Sequence, residues 1–312
     1  MTRRDSLLLL LSGAGPRPAA GSQPARLFEI YIYGRPVFAH PPQITYRVVA
    51  QDSHAYGDRA LTKTIRIQFD TPPTSPTMEI ALTLPISAKP VPVFLIAGNA
   101  RLDPIPAIQR GYGIAAARID QIQTDAPNGY AKSIRGYFAP SGQTEPGPEE
   151  WGAISAWAWA LSRAMDFFAT DPAIDAKRVC LSGAMRYGRV AFWAGAQDQR
   201  FAITFVQDAG FADTPVQLAN GRFSYWLDRK LQGATSEPLA WTDLAALYAP
   251  RLLYIAAAQE SGPDEERASL AVAKAAAKSG SIGYHTRPGD HVQSRSDWDH
   301  YLNFADQHLG ER

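Results

Sequence analysis

Between Val179 and Ala191 the chain reads VCLSGAMRYGRVA. An apolar run meets Gly183, a short turn follows that is closed by Gly188, and apolar residues then resume at helical spacing. This pattern predicts a buried parallel strand that turns sharply into a helix and lifts one side chain above the sheet, with glycines where the two elements pack closely. Such a nucleophile elbow calls for Ser, Cys or Asp at its apex. Here the apex falls on Met185.

The rest of the chain supplies a sheet for that turn. EIYIYG, ITYRVVAQ, TIRIQFD and MEIALTLP, between about Leu27 and Pro85, alternate apolar and polar residues and predict antiparallel strands at the edge of a larger sheet. VPVFLIAG, starting at Val91, is apolar throughout and predicts a central strand covered on both faces. Strands and helices then alternate, the mark of a parallel sheet. The strands are GIAAARI, AKRVCLS, FAITFVQ, RLLYIAAA and IGYHTR. The helices are expected over residues 148–169, 187–196, 265–278 and 296–309. These elements predict an α/β fold of the α/β-hydrolase type. It is a three-layer sandwich with a mostly parallel central sheet and an antiparallel N-terminal extension, in one domain over residues 27–312.

The chain has 312 residues with a formal net charge of +1 and no long run of one sign. That argues against nucleic acid or a membrane surface as partner and favours a small molecule or neutral polymer. The single cysteine, Cys180, excludes an intramolecular disulfide. Residues 1–21 carry Arg3-Arg4, the apolar run Leu7–Leu11 and then small residues and prolines. They read as a twin-arginine-like export signal, which implies a periplasmic or extracellular protein; as a plain tail they would leave it cytoplasmic. No later segment has the ~20 apolar residues that span a bilayer.

In this fold the nucleophile, the acid and the histidine follow successive strands in that order. Asp208, at the end of FAITFVQ, stands where a carboxylate orients an imidazole, and Glu260, ending RLLYIAAA, is the alternative acid. His291, in PGDHV between the last strand and the last helix, has the general-base position. His285 lies inside a strand and is expected to be packed. GYGIAA at Gly111 matches a dinucleotide fingerprint, but its glycines precede a strand, so no helix N-terminus would meet a pyrophosphate. The tryptophans of WGAISAWAWALSRAMDFF are spaced for core packing. His, Cys, Asp and Glu show no metal-ligand spacing, so neither metal nor cofactor is expected.

The framework WGAISAWAWALSRAMDFFATDPAIDAKRVCLSGAMRYGRVAFWAGAQDQRFA resembles that of the bacterial glucuronoyl esterases. So do LFEIYIYGRPV, LAALYAPRLLYIAA and YHTRPGDHVQSRSDWDHYLNFADQHL. These α/β-hydrolases cleave esters between lignin alcohols and the 4-O-methyl-glucuronic acid of xylan. Their elbow reads G-x-S-R-x-G-K. The resemblance implies a serine position at Met185, an oxyanion-stabilising arginine at Arg186 and a sugar-contacting residue at Arg189. It also implies the acid at Asp208, the histidine at His291, and a uronic-acid glycan or small ester as ligand.

The departures from that pattern matter as much. A thioether has no ionisable proton and cannot act as the nucleophile. Ser182 precedes Gly183 in the strand, below the apex. The segment after Asp208 is shortened to GFADTPVQ, the loop after RLLYIAAA has become QESGPDEE without a tryptophan, and the stretch after VPVFLIAGNA is abbreviated. Loss of the serine from a comparable triad removes about 10⁶ of rate. Three readings follow: an impaired esterase that still binds a glycan, a hydrolase using water activated by His291 and Asp208, or a non-catalytic interaction protein acting through its antiparallel N-terminal region.

Overall fold

The computed structural model describes residues 8–9, 23–71, 73–98, 103–277 and 282–310. Apart from Leu8–Leu9, the expected export signal lies outside the described residues. Among the described residues no helix is long and apolar enough to cross a membrane.

Among the described residues all ten strands join one sheet: β1 (Leu8–Leu9), β2 (Thr45–His54), β3 (Ala60–Gln68), β4 (Thr77–Pro85), β5 (Val91–Ala97), β6 (Gly113–Ala117), β7 (Ile174–Ala184), β8 (Phe201–Gln207), β9 (Leu252–Ala258) and β10 (Ile282–Arg287). Their order is β1-β2-β3-β4-β6-β5-β7-β8-β9-β10. The strands from β1 to β4 pair antiparallel, and β4 meets β6 antiparallel. From β6 to β10 every pairing is parallel. The expected antiparallel edge on a parallel sheet is therefore present.

Strand alternation sends side chains to two cores. Val93, Leu95, Val179 and Leu181 face α1 (Ala153–Phe168), α2 (Arg186–Gln197) and α4 (Pro263–Ala277); α3 (Trp241–Ala246) closes the same side. Phe94, Ile96, Cys180 and Phe205 point the other way, into a core completed by α5 (Arg295–Leu309). There Phe94 meets the Trp298 ring edge-on at 5.0 Å and Phe205 lies 4.7 Å from Tyr301. Helices on both faces make three layers, the arrangement that lets β5 be buried along its whole length.

Two expectations fail. EIYIYG is not a strand: Glu29–Tyr33 form a π-helical turn after the helix Gln23–Phe28. Ile32 and Tyr33 are adjacent and both fully buried, which a strand cannot offer to a single core. Tyr33 instead stacks on Trp193 at 4.3 Å. The helix expected from residue 148 starts at Ala153. The preceding backbone is engaged elsewhere, since Trp151 donates to the Arg35 carbonyl and Gly152 to that of Tyr33, both at 2.9 Å. Trp151 and Trp157 are core residues, as their spacing implied.

Candidate active site

β7 ends at Ala184, α2 begins at Arg186, and Met185 alone makes the turn. Its φ of 54° and ψ of −128° lie outside the regions L-residues favour, and its side chain is 41% exposed at the C-terminal end of the central strands. The two glycines explain why the turn can close. A Cβ on Gly183 would stand 2.1 Å from the Tyr187 carbonyl oxygen, and one on Gly188 would stand 2.6 Å from that of Gln207. The Met185 N–H donates to the Gln207 carbonyl at 2.9 Å. No side chain caps α2, so its first-turn N–H groups and the positive end of its dipole face the apex. Ser182 is buried in β7, below the turn.

Arg186 leaves the apex toward a polar cluster. Its guanidinium lies 4.6 Å from the centre of the Tyr187 ring, and its Nε is 3.3 Å from Asp125 Oδ2, an ion pair without hydrogen-bond alignment. Asp125 Oδ1 accepts from the Tyr225 hydroxyl and from Trp226 Nε1, each at 2.7 Å. Partial burial disfavours the Arg186 charge, but Tyr187 and Asp125 more than offset it, so its pKa rises. Arg189, one turn further on, is 1% exposed. It donates to the Gly210 carbonyl and lies 4.5 Å from the Trp241 ring centre. Burial lowers its pKa, opposed by Tyr33, Glu265 and Asp213. The guanidinium is thus enclosed, unlike the exposed Met185 and the partly exposed Arg186.

Asp208 follows β8 with φ 43° and is buried. Its Oδ1 accepts from the Ala258 N–H at 2.8 Å and the Ser261 hydroxyl at 3.0 Å, while Oδ2 receives Gln207 Nε2 at 3.4 Å. His291 sits on the exposed loop between β10 and α5, and its carbonyl accepts from the same Gln207 amide at 3.4 Å. Among the described residues the His291 ring has no hydrogen bond or ion pair. Glu260 approaches the loop through its backbone, donating to the Gly289 carbonyl at 3.2 Å, and its carboxylate is exposed. The histidine loop is thus met by Gln207 and by the Glu260 backbone, and neither carboxylate bonds the imidazole.

Sequence reasoning missed the groups that hold this loop. Arg287 donates to both Asp297 oxygens at 2.8 Å and to the carbonyls of Pro288 and Val292, at 3.1 and 2.5 Å, on either side of His291. His285 bonds Asp297 at 2.8 Å and the Tyr254 hydroxyl at 3.0 Å. His285 is therefore packed, as expected. The Ser294-x-x-Asp297 pattern could have flagged Asp297, because it forms the capping box of α5. Asp125 carried no comparable signal.

The profile of the family described as "Glucuronyl esterase, fungi" matches residues 67–217. Among curated proteins, the carbohydrate esterase MZ0003 from an unknown prokaryotic organism is 30% identical, over 91% of this chain and 83% of that protein. The chain belongs to the glucuronoyl esterase family, carbohydrate esterase family 15. A glucuronoyl esterase from Solibacter usitatus superposes with a TM-score of 0.82 at 31% identity, covering 92% of this chain and 91% of that one. A promiscuous family 15 esterase from a marine bacterial metagenome gives 0.76 at 29% identity, covering 92% and 90%. The fold is accordingly that of the family's α/β-hydrolases. In this glucuronoyl esterase homologue the elbow carries a methionine.

Proposed function

We propose that this glucuronoyl esterase homologue binds a uronic-acid ester or glycan at the cleft over the elbow and is catalytically impaired. One observation carries the reading: the strained apex between β7 and α2 presents Met185, whose thioether supplies neither a nucleophilic oxygen nor a proton for His291 to accept. The oxyanion side of the cleft supports retained binding, with the first-turn N–H groups of α2 and Arg186 beside the apex. Enclosure of Arg189 and the partial exposure of Arg186 support a ligand contact through Arg186. A water-based hydrolysis has less support, because Asp208 already accepts from Ala258 and Ser261 and makes no bond to the imidazole. A solved relative from Sporotrichum thermophile holds methyl 4-O-methyl-β-D-glucopyranuronate, which makes that ester the natural probe. The Arg3-Arg4 and Leu7–Leu11 pattern supports export.

Hydrolysis of the methyl ester by the native chain, by Met185→Ser and by Met185→Ser with His291→Ala tests the proposal. The native chain is expected to turn over slowly or not at all. Restoring the hydroxyl raises the rate, and removing the imidazole then abolishes the gain. Hydrolysis by the native chain that disappears with His291→Ala overturns the impaired reading.

A further inference from the structure

Asp125 lies beyond the positions that define the elbow, yet it is the carboxylate in contact with the cleft's arginine. Among the described residues it is the only acidic group within ion-pair distance of Arg186. The Tyr225 hydroxyl and Trp226 Nε1 both donate to Oδ1 at 2.7 Å, which fixes the carboxylate and leaves Oδ2 facing Arg186 Nε. On the other side Nη2 reaches the Tyr187 hydroxyl at 3.4 Å, and the guanidinium lies against the Tyr187 ring. The cation is held in place and its charge is compensated before any ligand arrives.

We infer that Asp125 is a specificity-determining residue, which makes this cleft take the neutral ester of a uronic acid in preference to the free uronate. The inference rests on the reading of the cleft proposed above. An unpaired guanidinium binds a carboxylate through two parallel charge-assisted bonds. Here an incoming uronate would share one cation with Asp125 and place a second negative charge close to the first. An ester carbonyl needs only one donor and brings no charge. Asp125 thus disfavours the acid form without touching the sugar.

Calorimetric titration of the native chain, Asp125→Asn and Asp125→Glu with methyl 4-O-methyl-β-D-glucopyranuronate and with the corresponding free acid tests this. The native chain binds the ester more tightly. Asparagine keeps an acceptor for Tyr225 and Trp226 but removes the charge, which moves the ratio of the two affinities toward the acid by roughly tenfold. Asp125→Glu keeps the native order. Asp125→Ser, which removes the charge without setting an amide against the guanidinium, repeats the asparagine shift and covers a failure of that variant to fold. A ratio that stays within twofold in both neutral variants, or that shifts equally in Asp125→Glu, overturns the assignment while ester binding still supports the cleft. If neither ligand binds the native chain, the reading of the cleft falls and the specificity falls with it.

Discussion

The Met185 amide donates to the carbonyl oxygen of Gln207 at 2.9 Å, tying the apex of the elbow to the last residue of β8. Gln207 extends the connection through its side chain, which donates to the His291 carbonyl at 3.4 Å and accepts from the Tyr301 hydroxyl at 3.1 Å. The first two of these bonds use the backbone at Met185 and at His291. The arrangement of elbow, acid and histidine loop therefore does not depend on the apex side chain.

Strain at the apex gives the first prediction. A non-glycine residue held at φ 54° and ψ −128° costs about 1–3 kcal/mol. Glycine adopts that conformation freely, at an entropic cost of roughly 0.5–1 kcal/mol. Met185 is partly exposed and gives up little packing, so Met185→Gly is expected to stabilise the fold by about 1 kcal/mol in chemical denaturation. A loss of stability would mean that the methionine packs well enough to outweigh its strain.

Gly183→Ala works in the opposite direction. The added methyl would lie 2.1 Å from the Tyr187 carbonyl oxygen, and neither β7 nor α2 can move without disturbing the central sheet. Overpacking of this kind costs about 1–3 kcal/mol or more. Thermal melting should place Gly183→Ala well below the native protein. Gly147→Ala is the control that separates this clash from the backbone effect: like Gly183 it has no positive φ, and its added methyl would meet only the Glu150 side chain, at 3.3 Å.

What the sequence made legible follows from how local each signal is. FAITFVQ is a strand with the expected bounds because burial on both faces leaves a largely apolar run, while IGYHTR keeps its bounds as an edge strand in which Gly283 alone is buried. The elbow was readable because close approach demands glycine at fixed offsets. EIYIYG misled because its alternation looks strand-like, while the stack of Tyr33 on Trp193 is a contact between distant segments. The positions of Asp208, Glu260 and His291 after their strands were also readable. The competition of Ala258 and Ser261 for the Asp208 carboxylate was not, since it depends on side-chain geometry between β8 and β9. Asp125 was invisible for the same reason, its partners Tyr225 and Trp226 lying far along the chain.

The segment that presents Asp125 is itself anchored. Gln123 accepts from Arg135 Nε at 2.8 Å through its side chain and from Trp157 Nε1 at 2.8 Å through its carbonyl. Arg135 is buried, which pushes its pKa down to about 10. Gln123→Ala removes one acceptor from an enclosed cation and is expected to cost roughly 1.5–3 kcal/mol. Calorimetric melting checks the loss, and ester binding should weaken with it as Asp125 loosens. An unchanged melting temperature would show that Arg135 finds another partner.

Acid sensitivity supplies the last prediction. Burial by itself would raise the carboxyl pKa of Asp297, but hydrogen bonds from His285, Ser294 and Arg287 outweigh it and hold the group far below the ordinary carboxylate range. Below the unfolded value of about 3.9 the unfolded chain takes up a proton that the folded chain refuses. The contribution of Asp297 is therefore complete above that value and is lost progressively as pH falls through it toward the folded pKa. Asp297→Asn leaves His285 and Arg287 without their shared anion and is expected to cost about 3–5 kcal/mol at neutral pH. Denaturation curves from neutral to acid should then converge, because the native protein loses on acidification what the variant never had. Since Arg287 also holds the carbonyls flanking His291, the variant should show faster amide exchange across residues 288–293 than elsewhere. A parallel offset between the two proteins down to the lowest pH would show that Asp297 does not carry the acid dependence.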